Sequence, residues 1–231
     1  MSYLWQEFNI KTFPAETLVF RDGLFCEDLS DYKSAVFFPG LNIIDINEKS
    51  NLPIHIIYIG NIENENELKI NINAGNCNVF MTARIKNEKS ANLTVYVKNT
   101  GQNSIFNGKI VAENHNLLKI NAYGEHLASN TGIFIKNHVL AYKDSETELN
   151  GYAIIEKNMP GCESDVSFSV MADESAKIKL KPVQNIKSIP LGASHSASLY
   201  KPNDFQINYL KSAGLGEKEV KDILAEAFLS L

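Results

Sequence analysis

The stretch Ala91-Asn92-Leu93-Thr94-Val95-Tyr96-Val97 decides the fold. Leu93, Val95 and Val97 share one face, and such a period of two marks a β-strand with one buried and one solvated side. Lys177-Ile178-Lys179-Leu180-Lys181 repeats the pattern with lysine at every outward position. From Leu52 to Lys181 the chain reads as a series of such segments: Ile54–Ile59, Leu68–Ile72, Val79–Ile85, Leu93–Val97, Ile105–Ala112, Leu117–Ala122, Ile133–Ala141, Glu148–Ile155, Val166–Met171 and Ala176–Leu180. No helix is predicted among them. The pieces between, such as Asn61–Glu67, Asn73–Asn76 and Asn99–Asn103, are rich in Asn, Gly, Ser and Glu. Asn and Gly tolerate left-handed backbone and so suit tight corners.

Many short strands without helices leave a sandwich or jelly roll on one side and a β-solenoid on the other. No exact repeat separates them. The hairpin-type dipeptides Asn107-Gly108 and Asn150-Gly151 fall within predicted strands rather than between them. That favours a solenoid with bends over a chain of hairpins.

The flanks differ. Up to about Asp45 the sequence is mixed, with two short strands, Thr17–Phe20 and Gly23–Phe25, about an Arg21-Asp22-Gly23 turn. A further apolar run, Ala35–Phe38, stops at Pro39-Gly40. At the other end Asn203-Asp204 can cap a helix whose face carries Phe205, Tyr209 and Leu210 and which ends at Gly214. A second helix is predicted from about Glu217 to Leu229, with Val220, Ile223, Leu224, Ala227 and Phe228 as its apolar stripe. The predicted divisions are thus an entry segment (1–50), a strand-rich core (51–202) and a helical segment (203–231).

Composition narrows the function. The 231 residues carry 22 basic and 27 acidic side chains, a net charge of −5, and only Arg21 and Arg84 are arginine. A basic stripe for nucleic acid and an arginine cluster for phosphate are both missing. No apolar run reaches the length of a membrane helix, and Met1-Ser2-Tyr3-Leu4-Trp5-Gln6-Glu7 does not read as a secretory signal, so the expected location is cytoplasmic. Cys26, Cys77 and Cys162 are odd in number and far apart, which reads as buried small hydrophobes rather than disulfides or a zinc ribbon. The phosphate-binding, zinc-protease and serine-hydrolase signatures do not occur, and no catalytic residue is assigned.

Four places remain for chemistry. His126 and His138 are one strand spacing apart and would share a metal if they lay on neighbouring strands; ordinary strand histidines are the commoner case. His55 alternates away from the Ile54, Ile56 and Tyr58 face. Asp144, Glu146, Glu148 and Asp165 would be the carboxylates of a solenoid enzyme acting on carbohydrate. Ser194-His195-Ser196 sits in a cluster of small residues, Pro190–Ser198, that permits close approach of another backbone.

Four parts of the chain, in this order, carry a resemblance. They are Leu18–Phe25 with Leu29-Ser30 and then Leu52–Tyr58; Ala176–Pro182, a strand ending in Lys-Pro; His195 with Ala197; and Asn208–Leu215 followed by Glu217–Phe228. Together they resemble the SufB/SufD proteins of iron–sulfur cluster assembly, in a short, SufD-like form. The resemblance implies a right-handed parallel β-helix (β-solenoid) with a C-terminal α-helical hairpin. It also implies a non-catalytic scaffold subunit that pairs with a SufB-like protein, or with a second copy of itself, and docks a SufC-like ATPase through its helical end.

The resemblance further implies roles for residues. The family's Cys-x-His-Gly-Ala segment aligns with Ala193 to Ala197, so the motif cysteine falls on Ala193 and its glycine on Ser196. His195 alone is left as a metal ligand or proton carrier at a site shared with the partner. No iron–sulfur cluster is expected to be bound stably by this chain alone. The partner-binding residues are expected to be Tyr209, Leu210, Lys211, Val220, Ile223, Leu224 and Phe228, with one helix face packed on the end of the solenoid. The alternatives are a structural homo-oligomer without SufC contact and the carbohydrate enzyme.

Overall fold

The computed structural model describes residues 17–21, 24–28, 36–38, 40–50 and 52–230. The entry strands β1 (Thr17–Arg21) and β2 (Leu24–Asp28) form an antiparallel pair, with Phe20 opposite Phe25. They are the two strands expected on either side of Asp22-Gly23, a turn that lies outside the described residues. β3 (Val36–Phe38) turns back antiparallel onto β4 (Leu41–Ile46).

From β4 onward the chain winds. β5 (Ile54–Asn61), β7 (Asn78–Asn87), β9 (Ile105–Asn114), β11 (Gly132–Ala141), β13 (Glu163–Ala172) and β15 (Gly192–Tyr200) join one sheet through parallel pairing. β6 (Asn64–Ile72), β8 (Ala91–Asn99), β10 (Leu117–His126), β12 (Glu146–Ile155) and β14 (Lys177–Ile186) join β4 in the other. Each crossover takes the chain to the opposite sheet and back, giving an eight-stranded and a seven-stranded sheet in a β-solenoid of about six turns. The fold is the solenoid implied by the resemblance, and the sandwich is excluded by the parallel pairing.

The alternation in the sequence is the alternation of the structure. Every other residue of β8 is buried, and the inward side chains of all turns from Ile44 to Val170 form one continuous apolar core. The corners are built by asparagine. Asn76, Asn103 and Asn130 sit at the same corner in consecutive turns, with φ of 59°, 60° and 56°. Each donates its backbone N–H to the next turn, to the carbonyls of Gln102, Ser129 and Pro160. At the opposite corner buried amides bridge turns: Asn87 Nδ2 donates to Asn114 Oδ1 (2.8 Å), and Asn114 Nδ2 donates to Thr147 Oγ1 (2.8 Å). Such pairs satisfy polar groups that would otherwise be costly to bury.

Two glycines have a role the sequence did not suggest. Gly108 and Gly151 do not bend their strands; they make room for aromatic rings. A Cβ on Gly151 would stand 2.6 Å from Phe168 Cζ, and one on Gly108 would stand 2.8 Å from Phe106 Cε1.

The chain ends in α1 (Asp204–Ser212) and α2 (Glu217–Ser230). Asn203 caps α1 as expected, its side chain accepting from Gln206 N while the Gln206 side chain accepts from Asn203 N. Gly214, at φ 89°, breaks the helix. The hairpin does not close the end of the solenoid. Instead α2 lies on the outer face of the eight-stranded sheet, where Phe228 and Leu229 pack with Val111 and Leu140 and against Tyr142, Met171 and Tyr200.

Candidate functional site

Among the described residues no turn lies above the last turn of the solenoid, whose strands β14 and β15 are sheet edges. On β13 the inward residues Val166, Phe168 and Val170 are fully buried. Their neighbours on β15 are His195, Ala197 and Leu199, at the next step of the ladder. These face the same way but are exposed, Leu199 at 65% against 0% for Val170. On β14 the inward Ile178 and Leu180 are only partly covered by the core. An apolar rung with a histidine in it therefore lies open to solvent.

The two edge strands of this rung differ. β14 carries Lys177, Lys179 and Lys181 on its outer face and Pro182 in its middle, features that discourage further strand pairing. Glu146 and Glu148 on β12 hold those lysines. β15 reads Gly192-Ala193-Ser194-His195-Ser196-Ala197-Ser198-Leu199-Tyr200, with neither lysine nor proline. Its hydroxyls bond back to β13: Ser194 Oγ donates to Asp165 Oδ1 (2.7 Å), and Ser198 Oγ lies 3.1 Å from Ser169 Oγ. The free backbone edge of β15 is thus chemically open to another strand. Its strict alternation of serine with Ala193, His195, Ala197 and Leu199 is a period-two signal that marks a strand even though the residues are small.

The helical hairpin is the second feature. Val220, Leu224 and Phe228 are buried. Phe228 stacks on Tyr200 at 5.6 Å, and its carbonyl accepts from His138 Nδ1 at 3.3 Å. Burial lowers the His138 pKa, and Lys109 and Lys136 add to this, against the opposing effect of the Phe228 carbonyl. α1 contributes no buried residue; Phe205 and Tyr209 are 78% and 66% exposed, and Ile223 of α2 is exposed as well. Leu210 is half-buried and Lys211 exposed. Between the hairpin and the turns at Tyr142 and Asp173 lies a cleft of about 700 Å³ that Ile207, Lys211 and Asp222 also line.

Residues 80–228 match the model of the SUF system FeS cluster assembly SufBD core domain. The chain belongs to the SufBD family. The match takes in both the open rung and the hairpin, and it places the chain in SUF iron–sulfur cluster assembly. No curated protein matches the chain. Among the described residues no helix is long and apolar enough to cross a membrane.

The other sequence candidates in this SufBD chain are not brought together. His126 ends β10 in one sheet and His138 lies on β11 in the other, so they are not strand neighbours. His126 is wholly buried against Thr131, and His55 stacks on Phe80. Glu146 and Glu148 lie on the outer face of one sheet and Asp165 on the other, and each is engaged by a lysine or a serine. Cys77 and Cys162 are buried and unpaired, as expected; the Cys26 side chain lies outside the described residues. No cluster of three or more His, Cys, Asp or Glu occurs among the described residues. At the open rung Ala193 supplies no thiolate, the usual ligand of iron–sulfur clusters. His195 there is one nitrogen donor.

Proposed function

We propose that this protein is a SufD-like scaffold subunit of a cytoplasmic SUF complex. In this reading its open rung pairs with a SufB-like subunit, or with a second copy of itself, and its hairpin docks a SufC-like ATPase. The observation that carries the reading is the uncovered rung. Leu199, Ala197 and His195 continue an apolar core that every earlier turn buries, and the unprotected edge of β15 offers backbone hydrogen bonds for strand addition. His195 is then a ligand or proton carrier for iron–sulfur cargo at the shared interface, and the chain has no catalysis of its own. Tyr209, Lys211 and Ile223 form the exposed docking surface with Leu210 at its margin, while Val220, Leu224 and Phe228 act on it indirectly by fixing α2 to the sheet.

The test is co-purification of the full chain with the SufB-type and SufC-type proteins of its own organism. Leu199→Asp is expected to lose the SufB-type partner and keep SufC; Tyr209→Asp is expected to do the reverse. His195→Ala is expected to leave both contacts and impair cluster assembly. Neither partner binding the unmodified chain refutes the scaffold reading. Unchanged assembly with His195→Ala refutes the role of the histidine. The same open rung supports self-pairing, which a concentration-dependent dimer that Leu199→Asp dissociates would identify.

A further inference from the structure

On the outer face of the eight-stranded sheet, His55, Phe80, Asn107 and Phe134 form one cross-strand row through β5, β7, β9 and β11. His55 and Phe80 stack, with centroids 5.4 Å apart and planes 17° from parallel. The other face of the Phe80 ring therefore looks along the row toward Asn107. Phe134 stands two strands on, roughly 10 Å away at the usual strand spacing. A hollow of about 250 Å³ opens between them, lined by Phe80, Thr82, Asn107, Lys109, Phe134 and Lys136. The opposite sheet shows such a row filled: Tyr96, Tyr123 and Tyr152, on three successive strands, lie 5.8 and 4.6 Å apart with the second pair stacked. In the row through Phe80 the third place carries Asn107 instead of a ring.

The next row is cationic. Lys109 and Lys136 are direct cross-strand neighbours, and Arg84 lies one row further along β7. Like charges facing each other weaken strand pairing. Further along β7, Lys86 meets Glu88, and in the opposite sheet Lys119 and Lys179 meet Glu148. Lys136 has no ion pair among the described residues. Partial burial, with Arg84 and Lys136 adding to it, holds Lys109 below the ordinary lysine range. A chain of net charge −5 thus keeps cations crowded beside a gap in an aromatic row.

We propose that this hollow binds a small planar aromatic anion of the mononucleotide class, with its ring in the empty place between Phe80 and Phe134 and its phosphate against Lys109 and Lys136. Stacking on two aromatic faces is tolerant of ring identity, so the charge and the ring are both required and the base is weakly selected. The site is independent of the scaffold reading, and either can fail without the other.

The experiment is a calorimetric titration of the full chain with adenosine monophosphate, adenosine and inorganic phosphate. Adenosine monophosphate is expected to bind at least about tenfold more tightly than either fragment. Asn107→Phe places a ring in the gap and is expected to weaken binding about tenfold or more without lowering the melting temperature. Lys136→Gln is expected to weaken it about fivefold and to reduce its salt dependence. The proposal is overturned if adenosine monophosphate does not bind, if Asn107→Phe binds it as well as the unmodified chain, or if inorganic phosphate alone binds equally tightly.

Discussion

Acidification should weaken this solenoid through one buried imidazole. His126 is fully buried at the end of β10, between Asn99 on β8 and Ile155 on β12. Its Nδ1 lies 2.7 Å from Thr131 Oγ1, and that hydroxyl donates its single proton to the Ala128 carbonyl at 3.1 Å. Nδ1 therefore carries the ring proton, and Nε2, which has no partner among the described residues, is a bare lone pair. Protonating Nε2 would bury a charge with no acceptor, and burial lowers the pKa from 6.5 to about 4. The unfolded chain takes up the proton near 6.5 and the folded chain only near 4. Stability from this group is thus complete above about pH 6.5 and falls as pH drops, by roughly 3 kcal/mol in total once pH passes below about 4. That is a large share of an ordinary folding free energy. The assay is urea unfolding between about pH 7.5 and 4, comparing the unmodified chain with His126→Leu. Carboxylate protonation and His138 act on both, so the difference isolates His126. The two should agree within about 1 kcal/mol at neutral pH, and the variant should lose less stability on acidification. Parallel pH profiles would refute the assignment.

Other consequences are more local. Phe228→Ala should remove the anchor of α2, costing about 3 kcal/mol, and be read by hydrogen exchange as loss of protection in residues 204–230 with strand protection kept. Gly151→Ala would set a Cβ 2.5 Å from Val166 Cγ1, and overpacking there should cost about 1–3 kcal/mol in chemical denaturation. Glu148→Gln, which disperses the cluster with Lys119, Lys179 and Lys181, should cost less than about 1 kcal/mol because these partners are solvated; a larger drop in melting temperature than that implies would contradict it. Anaerobic reconstitution with iron and sulfide should give the chain alone no stable cluster absorbance, since Ala193 offers no thiolate; a cluster on the isolated chain would contradict the shared-site reading.

The solenoid was readable because each turn obeys the same local rule. Leu93, Val95 and Val97 told the inward face, and the asparagines told the corners. Its repeat was hidden because turns differ in length. Asn87 and Asn114 are 27 residues apart, while Thr131 and Cys162, on equivalent steps, are 31 apart. Strand lengths were underestimated for a related reason. The ends of β7, β9 and β10 are Asn87, Asn114 and His126, polar residues that are buried because they bond to the neighbouring turn or corner. Hydropathy alone cannot see such burial.

The position of the hairpin was also hidden, although a signal existed. In Ile110-Val111-Ala112 and Val139-Leu140-Ala141 alternation gives way to continuous apolar residues, and all six are buried. A strand covered on both faces needs a second layer. Val111 and Leu140 are the outward members of these runs, and α2 is that layer. The helical stripe said that α2 must bury a face, but only the break in alternation on β9 and β11 says where.

On the proposed reading the open rung and the missing thiol belong to one argument. A turn that ended in large side chains like those of β13 would leave an irregular surface for a partner. β15 instead presents Ala193 and Ala197 on either side of His195, a low profile that lets another backbone come close. The same small side chain at 193 removes the ligand that iron would take. A second copy of this chain would bring another alanine and another histidine to the interface, which makes a sound contact and a poor cluster site. A partner with a thiolate at the facing position would complete what His195 begins. Self-pairing and mixed pairing would then use one surface for different ends, and the mixed pair would have the thiolate chemistry to hold iron and sulfide.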